Sequence, residues 1–235
     1  MINNMTDYTD YHSKYLKYKK KYNDLKKFSL NDNLIGGAIR ESSSGARKES
    51  SGLPFEITKD SDRLKEIEEL MIKDLKILFD RYDLEKYLYT KNIIVDGNIN
   101  NFPDSYNFVV RITRRYVLDK KYTLEHLLAI FIHEQFHCWE DQIENKTKIN
   151  KLLPILYDTF PDMNLLPPYG SRTKESTYIH IIICFHEYNA LIDLLGLKKA
   201  NEILKTKRIY KGIYQTVIDN FDNIKDLLEA NDLLS

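Results

Sequence analysis

The segment His133-Glu134-Gln135-Phe136-His137 constrains this chain more than any other, because it sets two imidazoles four positions apart with a carboxylate directly after the first. On an α-helix a spacing of four is about 40° of rotation and one turn of rise, so both rings can converge on one metal ion. Glu134 then points about 100° away from His133, where a carboxylate can take a proton from a water held in the ion's open position. The flanking residues support a helix. Leu124, Leu127, Leu128, Phe131, Ile132, Phe136 and Trp139 form a broad apolar stripe, which predicts one helix from near Thr123 to about Gln142.

A catalytic zinc takes three protein ligands and one water, so two histidines are an incomplete site. Glu140 and Asp141 lie further along the same helix, but seven residues span roughly 10 Å against ligand bonds of about 2 Å. A straight helix cannot supply all three ligands. The best second segment is Ser176 to Gly196, whose apolar residues surround the helix axis and which reads as a buried core helix closed by Gly196 at its C-cap. A carboxylate in the middle of such a helix is costly unless it is paired, and coordination to a divalent cation is one of the few ways to keep it charged. Glu187 is therefore the first choice for the third ligand. His186 is the alternative, and His180, two turns before Glu187 on the same face, is a candidate ligand, supporting group or transition-state donor.

The same residues carry a family resemblance. HEQFH on a core helix, preceded by the strand-like Asn107 to Thr113 and followed by a helix bearing Glu187, resembles the zincin superfamily and, within it, the gluzincins. The likeness covers about residues 100 to 195 and rests on one specific motif. It implies Zn2+ as cofactor, held by His133, His137 and Glu187, and hydrolysis of a peptide or protein substrate with Glu134 as general base. It also implies that Asn107 to Thr113 is the strand along which an extended substrate pairs. Tyr178, His180 and Tyr188 are candidate oxyanion donors. Gluzincins often carry aspartate four residues after the glutamate ligand, and Leu191 stands there instead. Metzincins have glycine where this chain has Glu140, which excludes that branch. A carboxylate-bridged di-iron site needs a second ExxH pair besides Glu134 and His137, and the chain has none. Two readings follow: an active zinc metallopeptidase, or a zincin-like domain kept as an inert structural, virion or interaction protein.

Composition bounds the setting. Formal net charge is zero, with 35 basic and 35 acidic residues, so nucleic-acid binding is not implied. The longest apolar runs are too short for a membrane span, and the N-terminus lacks the apolar core of a secretory signal. Cys138 and Cys184 read as buried reduced thiols in an intracellular protein.

Three regions are expected. Residues 1–30 carry Tyr8, Tyr11, Tyr15, Tyr18 and Tyr22 at alternating intervals of three and four among many lysines, which predicts a basic, tyrosine-striped helix that could bind a partner. This stretch, with Gly36 and Gly37 after it, resembles an N-terminal element found on many otherwise unrelated proteins of mimivirus-type giant viruses. That resemblance implies a host-cytoplasmic or virion location, and the element would be a sorting or assembly tag with the double glycine as a processing site. Residues 31–53 read as a flexible linker, serine- and glycine-rich from residue 38. Residues 54–235 are the main domain, with helices expected at Ser61 to Tyr82 and after Gly196, and a short strand at Asn92 to Val95. Between Asn145 and Lys174, Pro154, Pro161, Pro167 and Pro168 predict a short helix and a turn-rich loop. The fold class expected is α+β, mainly helical, with a small sheet beside the HExxH helix.

Overall fold

The computed structural model describes residues 48–49, 54, 56–59, 65–96, 103–113 and 123–234. The chain divides between Ser44 and Gly45. The N-terminal helix expected over residues 1–30 lies outside the described residues, as does most of the stretch read as a linker. Lys48 and Glu49, within that stretch, form a short strand.

The domain is α+β and mainly helical, as the periodicities predict. Its strands are β1 (Lys48–Glu49), β2 (Glu56–Lys59), β3 (Asn92–Asp96), β4 (Asp104–Tyr106) and β5 (Val109–Thr113). Its helices are α1 (Lys65–Arg81), α2 (Leu124–Glu140), α3 (Ile143–Thr159), α4 (Lys174–Leu195), α5 (Leu197–Thr206), α6 (Lys211–Asp219) and α7 (Phe221–Glu229). The sheet order is β1-β2-β3-β5-β4, with β2, β3 and β5 parallel and the two outer strands antiparallel to their neighbours. Ile93 pairs with Val110 and Val95 with Ile112, and all four are buried. Successive strand residues point to opposite faces, so this set packs one face of the sheet into the core.

Two expectations about this region need correction. The strand expected over Asn107 to Thr113 starts at Val109, because Asn107 and Phe108 both take positive φ and form the turn of a β4–β5 hairpin. Strand β5 also has a neighbour on each side, β3 and β4, so its backbone is already paired. Among the described residues the edge beside the motif helix is β4. The second correction concerns Pro154, which does not interrupt the helix in which it sits. Proline removes one helical hydrogen bond, but Ile149, Leu152, Leu153 and Leu156 are buried around it, and that packing carries α3 through to Thr159.

Helix α2 lies against β4 and β5. Gln135 fastens it there: buried completely, its Oε1 accepts from Tyr89 N (2.9 Å) and Thr90 N (3.0 Å), and its Nε2 donates to Thr90 O (3.2 Å). The amide thus stands in for a strand partner at the entry to β3. Helix α4 is the hub, touching α2, α3, α5, α6 and α7. Between Thr177 and Leu191 only Ile179 and Asn189 are not buried, as expected for a helix apolar on every side. It ends at Gly196, whose φ of 80° is one that L side chains rarely adopt.

Candidate metal centre

Helices α2 and α4 bring three imidazoles together. His133 and His137 come from α2 and His180 from α4, and each offers a ring nitrogen within 4.8 Å of the others. His133 and His180 are buried, and His137 is partly open to solvent. Ring centroids are 5.0 Å apart for His133 and His137, 5.0 Å for His137 and His180, and 5.9 Å for His133 and His180. The three could hold one metal ion.

What lies behind each ring suits that role. His133 donates from Nδ1 to Glu187 Oε2 at 2.8 Å. His180 donates from Nδ1 to the carbonyl oxygen of Ser176 at 2.7 Å. His137 turns its Nδ1 towards Glu140 Oε2, 3.8 Å away. With Nδ1 of His133 and of His180 committed to an oxygen, Nε2 of those two rings carries the lone pair, which is how metal-binding histidines are usually oriented. Burial keeps two of the rings neutral. It lowers the pKa of His133 to about 4, against the opposing pull of Glu187, and holds His180 well below the ordinary value, helped by the other two imidazoles. His137 differs: burial would lower its pKa, but Glu140, Glu134 and Asp141 outweigh burial and raise it.

Glu187 sits two turns beyond His180 on α4 and is completely buried. Its Oε2 takes both the His133 proton and the hydroxyl of Tyr214 at 2.6 Å, and its Oε1 lies 2.9 Å from Lys207 Nζ. Burial alone would raise its pKa, yet the Lys207 ammonium, His133 and Tyr214 bring it down to about 2. Glu187, Cys184 and His133 form a second donor group of suitable spacing. In that group the His133 nitrogen facing the carboxylate already donates to it, and the Lys207 ammonium lies against the same carboxylate, so the three imidazoles are the better cradle for a cation.

Glu134 is buried next to His133 on α2. Burial raises its pKa to about 7; His137 and Lys207 work against that, Asp104 on β4 with it. His186 points elsewhere. It packs against Phe136, Trp139 and Phe185, bonds the backbone of Leu233 and has its pKa lowered by burial to about 3. It is a core imidazole.

Sequence reasoning missed three residues here. Lys207, Tyr210 and Tyr214 all come from the end of α5 and the start of α6. The Tyr210 ring lies 4.3 Å from that of His180 and stacks on His133 at 5.9 Å, with its backbone in the left-handed region at φ 58°. Non-glycine residues held there are uncommon and concentrate at functional sites. The loop before α4 secures this turn, for Pro168 O accepts from Lys211 N (2.8 Å) and Tyr169 O from Gly212 N (3.1 Å). By contrast, the hydroxyl of Tyr178 bonds Phe160 O, and that of Tyr188 bonds Asn201 Oδ1 at 2.8 Å. Neither of those two expected donors has its hydroxyl turned to the imidazoles. With seventeen tyrosines in the chain, no local pattern separates Tyr210 from the rest.

Compared with protein families, with curated proteins and with solved structures, the chain finds no match. Among the described residues no helix is long and apolar enough to cross a membrane.

Proposed function

We propose that this chain is a zinc-dependent peptidase whose ligands are His133, His137 and His180 and whose general base is Glu134. One observation carries the reading: three imidazoles from two helices converge within 4.8 Å, directly beside a buried carboxyl whose pKa is raised to about 7. Three imidazole nitrogen donors suit zinc, and three protein ligands leave a position for water. The expectation that Glu187 is the third ligand gives way to His180, with Glu187 orienting His133 from behind.

A divalent cation held there would supply a Lewis acid that acidifies a water and polarises the scissile carbonyl. The chain's own residues do the rest. Glu134, with a pKa near neutrality, can take a proton at its carboxylate and pass it to the departing amine. Burial of His133, Glu134 and His180 keeps bulk water from competing for that proton. Strand β4 offers the sheet edge beside α2, where an extended peptide can pair through its backbone.

The test is metal analysis of the purified chain together with cleavage of a peptide library by wild type and Glu134→Gln. The expected result is one zinc per chain in both proteins, and cleavage reduced at least about 100-fold in the variant. Zinc bound without any Glu134-dependent cleavage would instead favour an inert zincin-like role.

A further inference from the structure

We infer that Lys207 and Tyr214 are positioning residues that act on the metal centre through Glu187. This rests on the metal-binding part of the function proposed above. Glu187 is engaged on both oxygens and from two directions: Tyr214 Oη and His133 Nδ1 meet at Oε2, and Lys207 Nζ closes on Oε1 at 2.9 Å. A carboxylate held at one oxygen can still turn about its terminal torsions, and the ion pair at Oε1, which is not a hydrogen bond, opposes that turn by pulling the second oxygen towards Lys207. The orientation of the His133 ring, and so its place in the imidazole group, is therefore set two residues away from any ligand.

Stability alone does not explain the cluster. The Lys207 side chain is 14% exposed and that of Glu187 is 0% exposed, and Tyr214 is buried as well. Buried ion pairs of this kind can often be replaced by apolar residues with no loss of stability. An arrangement with an ammonium, a phenol and a carboxylate in the core instead fixes one geometry. The chain delivers both anchors from one junction: Lys207 is the residue that caps α5, and Tyr214 lies in the first turn of α6. Lys207 Nζ also sits 5.6 Å from the centre of the Tyr214 ring, so the anchors brace each other.

An ammonium near a cation site repels the cation, so a mere charge effect would make Lys207→Met bind metal more tightly. Positioning requires weaker binding. The experiment measures Zn2+ and Co2+ affinity of the full chain by chelator competition, and the visible absorption bands of the Co2+ form, for wild type, Lys207→Met, Lys207→Arg and Tyr214→Phe. Loss of either anchor is expected to weaken binding about tenfold, the lower end for partners behind metal ligands, and to shift the cobalt bands. Lys207→Arg should restore both. Tyr214→Phe removes one oxygen and no charge, so it decides the matter if Lys207→Met fails to fold. Unchanged affinity and spectrum in Tyr214→Phe, or tighter binding in Lys207→Met, would overturn the inference. A wild-type chain that binds neither metal would overturn the metal reading itself, which is a separate outcome.

Discussion

His133 and Glu187, 54 positions apart, meet at 2.8 Å between Nδ1 and Oε2, so that the carboxylate anchors one nitrogen of the imidazole that gathers with His137 and His180. On the proposed function, that contact makes Glu187 a group that orients a ligand and leaves His180 as the third donor. His180→Ala removes one of three donors and should abolish stoichiometric zinc binding. Glu187→Gln keeps an oxygen able to accept from His133 and should bind one zinc with about 10- to 100-fold lower affinity. Isothermal titration of the two variants separates the roles. Full zinc affinity in His180→Ala with none in Glu187→Gln would return Glu187 to the ligand set.

Gln135 supplies three hydrogen bonds to the backbone of Tyr89 and Thr90. Truncation to alanine leaves buried amides and a carbonyl without their partner, at about 1–3 kcal/mol for each group left unsatisfied. Gln135→Ala should lose on the order of 3 kcal/mol or more, read as a lower denaturant midpoint at unchanged slope. A midpoint within error of wild type would show that this bond set does not hold α2 to the sheet.

Acid should destabilise the metal-free protein. The pKa of His133 is lowered to about 4 and that of His186 to about 3, and His180 lies well below its ordinary value. Their unfolded forms bind protons below about pH 6.5, so the stability they contribute is lost as pH falls from there towards about 4. Glu134 acts oppositely: raised to about 7, its contribution is present at low pH and is lost as pH rises through 7. That of His137, also raised, is present in full below pH 6.5. Below pH 6.5 three imidazoles are opposed by the Glu134 carboxyl alone, so denaturant unfolding at pH 6.5, 6 and 5 should show a progressive loss. His186→Phe, in the aromatic cluster, should flatten the dependence by about 1.4 kcal/mol per pH unit. An unaltered slope in that variant would contradict the assignment of His186 as a neutral core group.

Gly170 has no room for a side chain. A Cβ there would lie 2.2 Å from Asn164 O and 2.7 Å from Leu165 Cα, both backbone atoms. Gly170→Ala should cost about 1–3 kcal/mol, as over-packing does, and disturb the loop whose carbonyls receive the amides of Lys211, Gly212 and Ile213. Faster hydrogen exchange at those three amides is the expected signature. Protection equal to wild type would mean that the loop does not secure the α5–α6 junction.

Much of the scaffold was legible in the chain. The stripe from Leu124 to Trp139 located α2, and the all-round apolar run ending at Gly196 located α4, because helical periodicity and a C-terminal glycine are local properties. Pro154 misled because its local cost is offset by burial of Leu152, Leu153 and Leu156. The pairing of β5 with β3 was hidden because it joins residues 17 positions apart across an intervening strand, and that with β4 because the turn at Asn107 and Phe108 carries no glycine to mark it.

The sequence by itself determined that His133 and His137 share a helix face with Glu134 beside them, since a spacing of four has only one meaning once the helix forms. It also placed His180 and Glu187 on one face of α4, since seven residues are close to two turns. Which of those two meets the imidazole pair, and which is held behind it, depended on how α4 crosses α2 and on the arrival of Lys207 and Tyr214 from the α5–α6 junction. No periodicity records that crossing, because a helix buried on every side presents no preferred face; packing alone decided it.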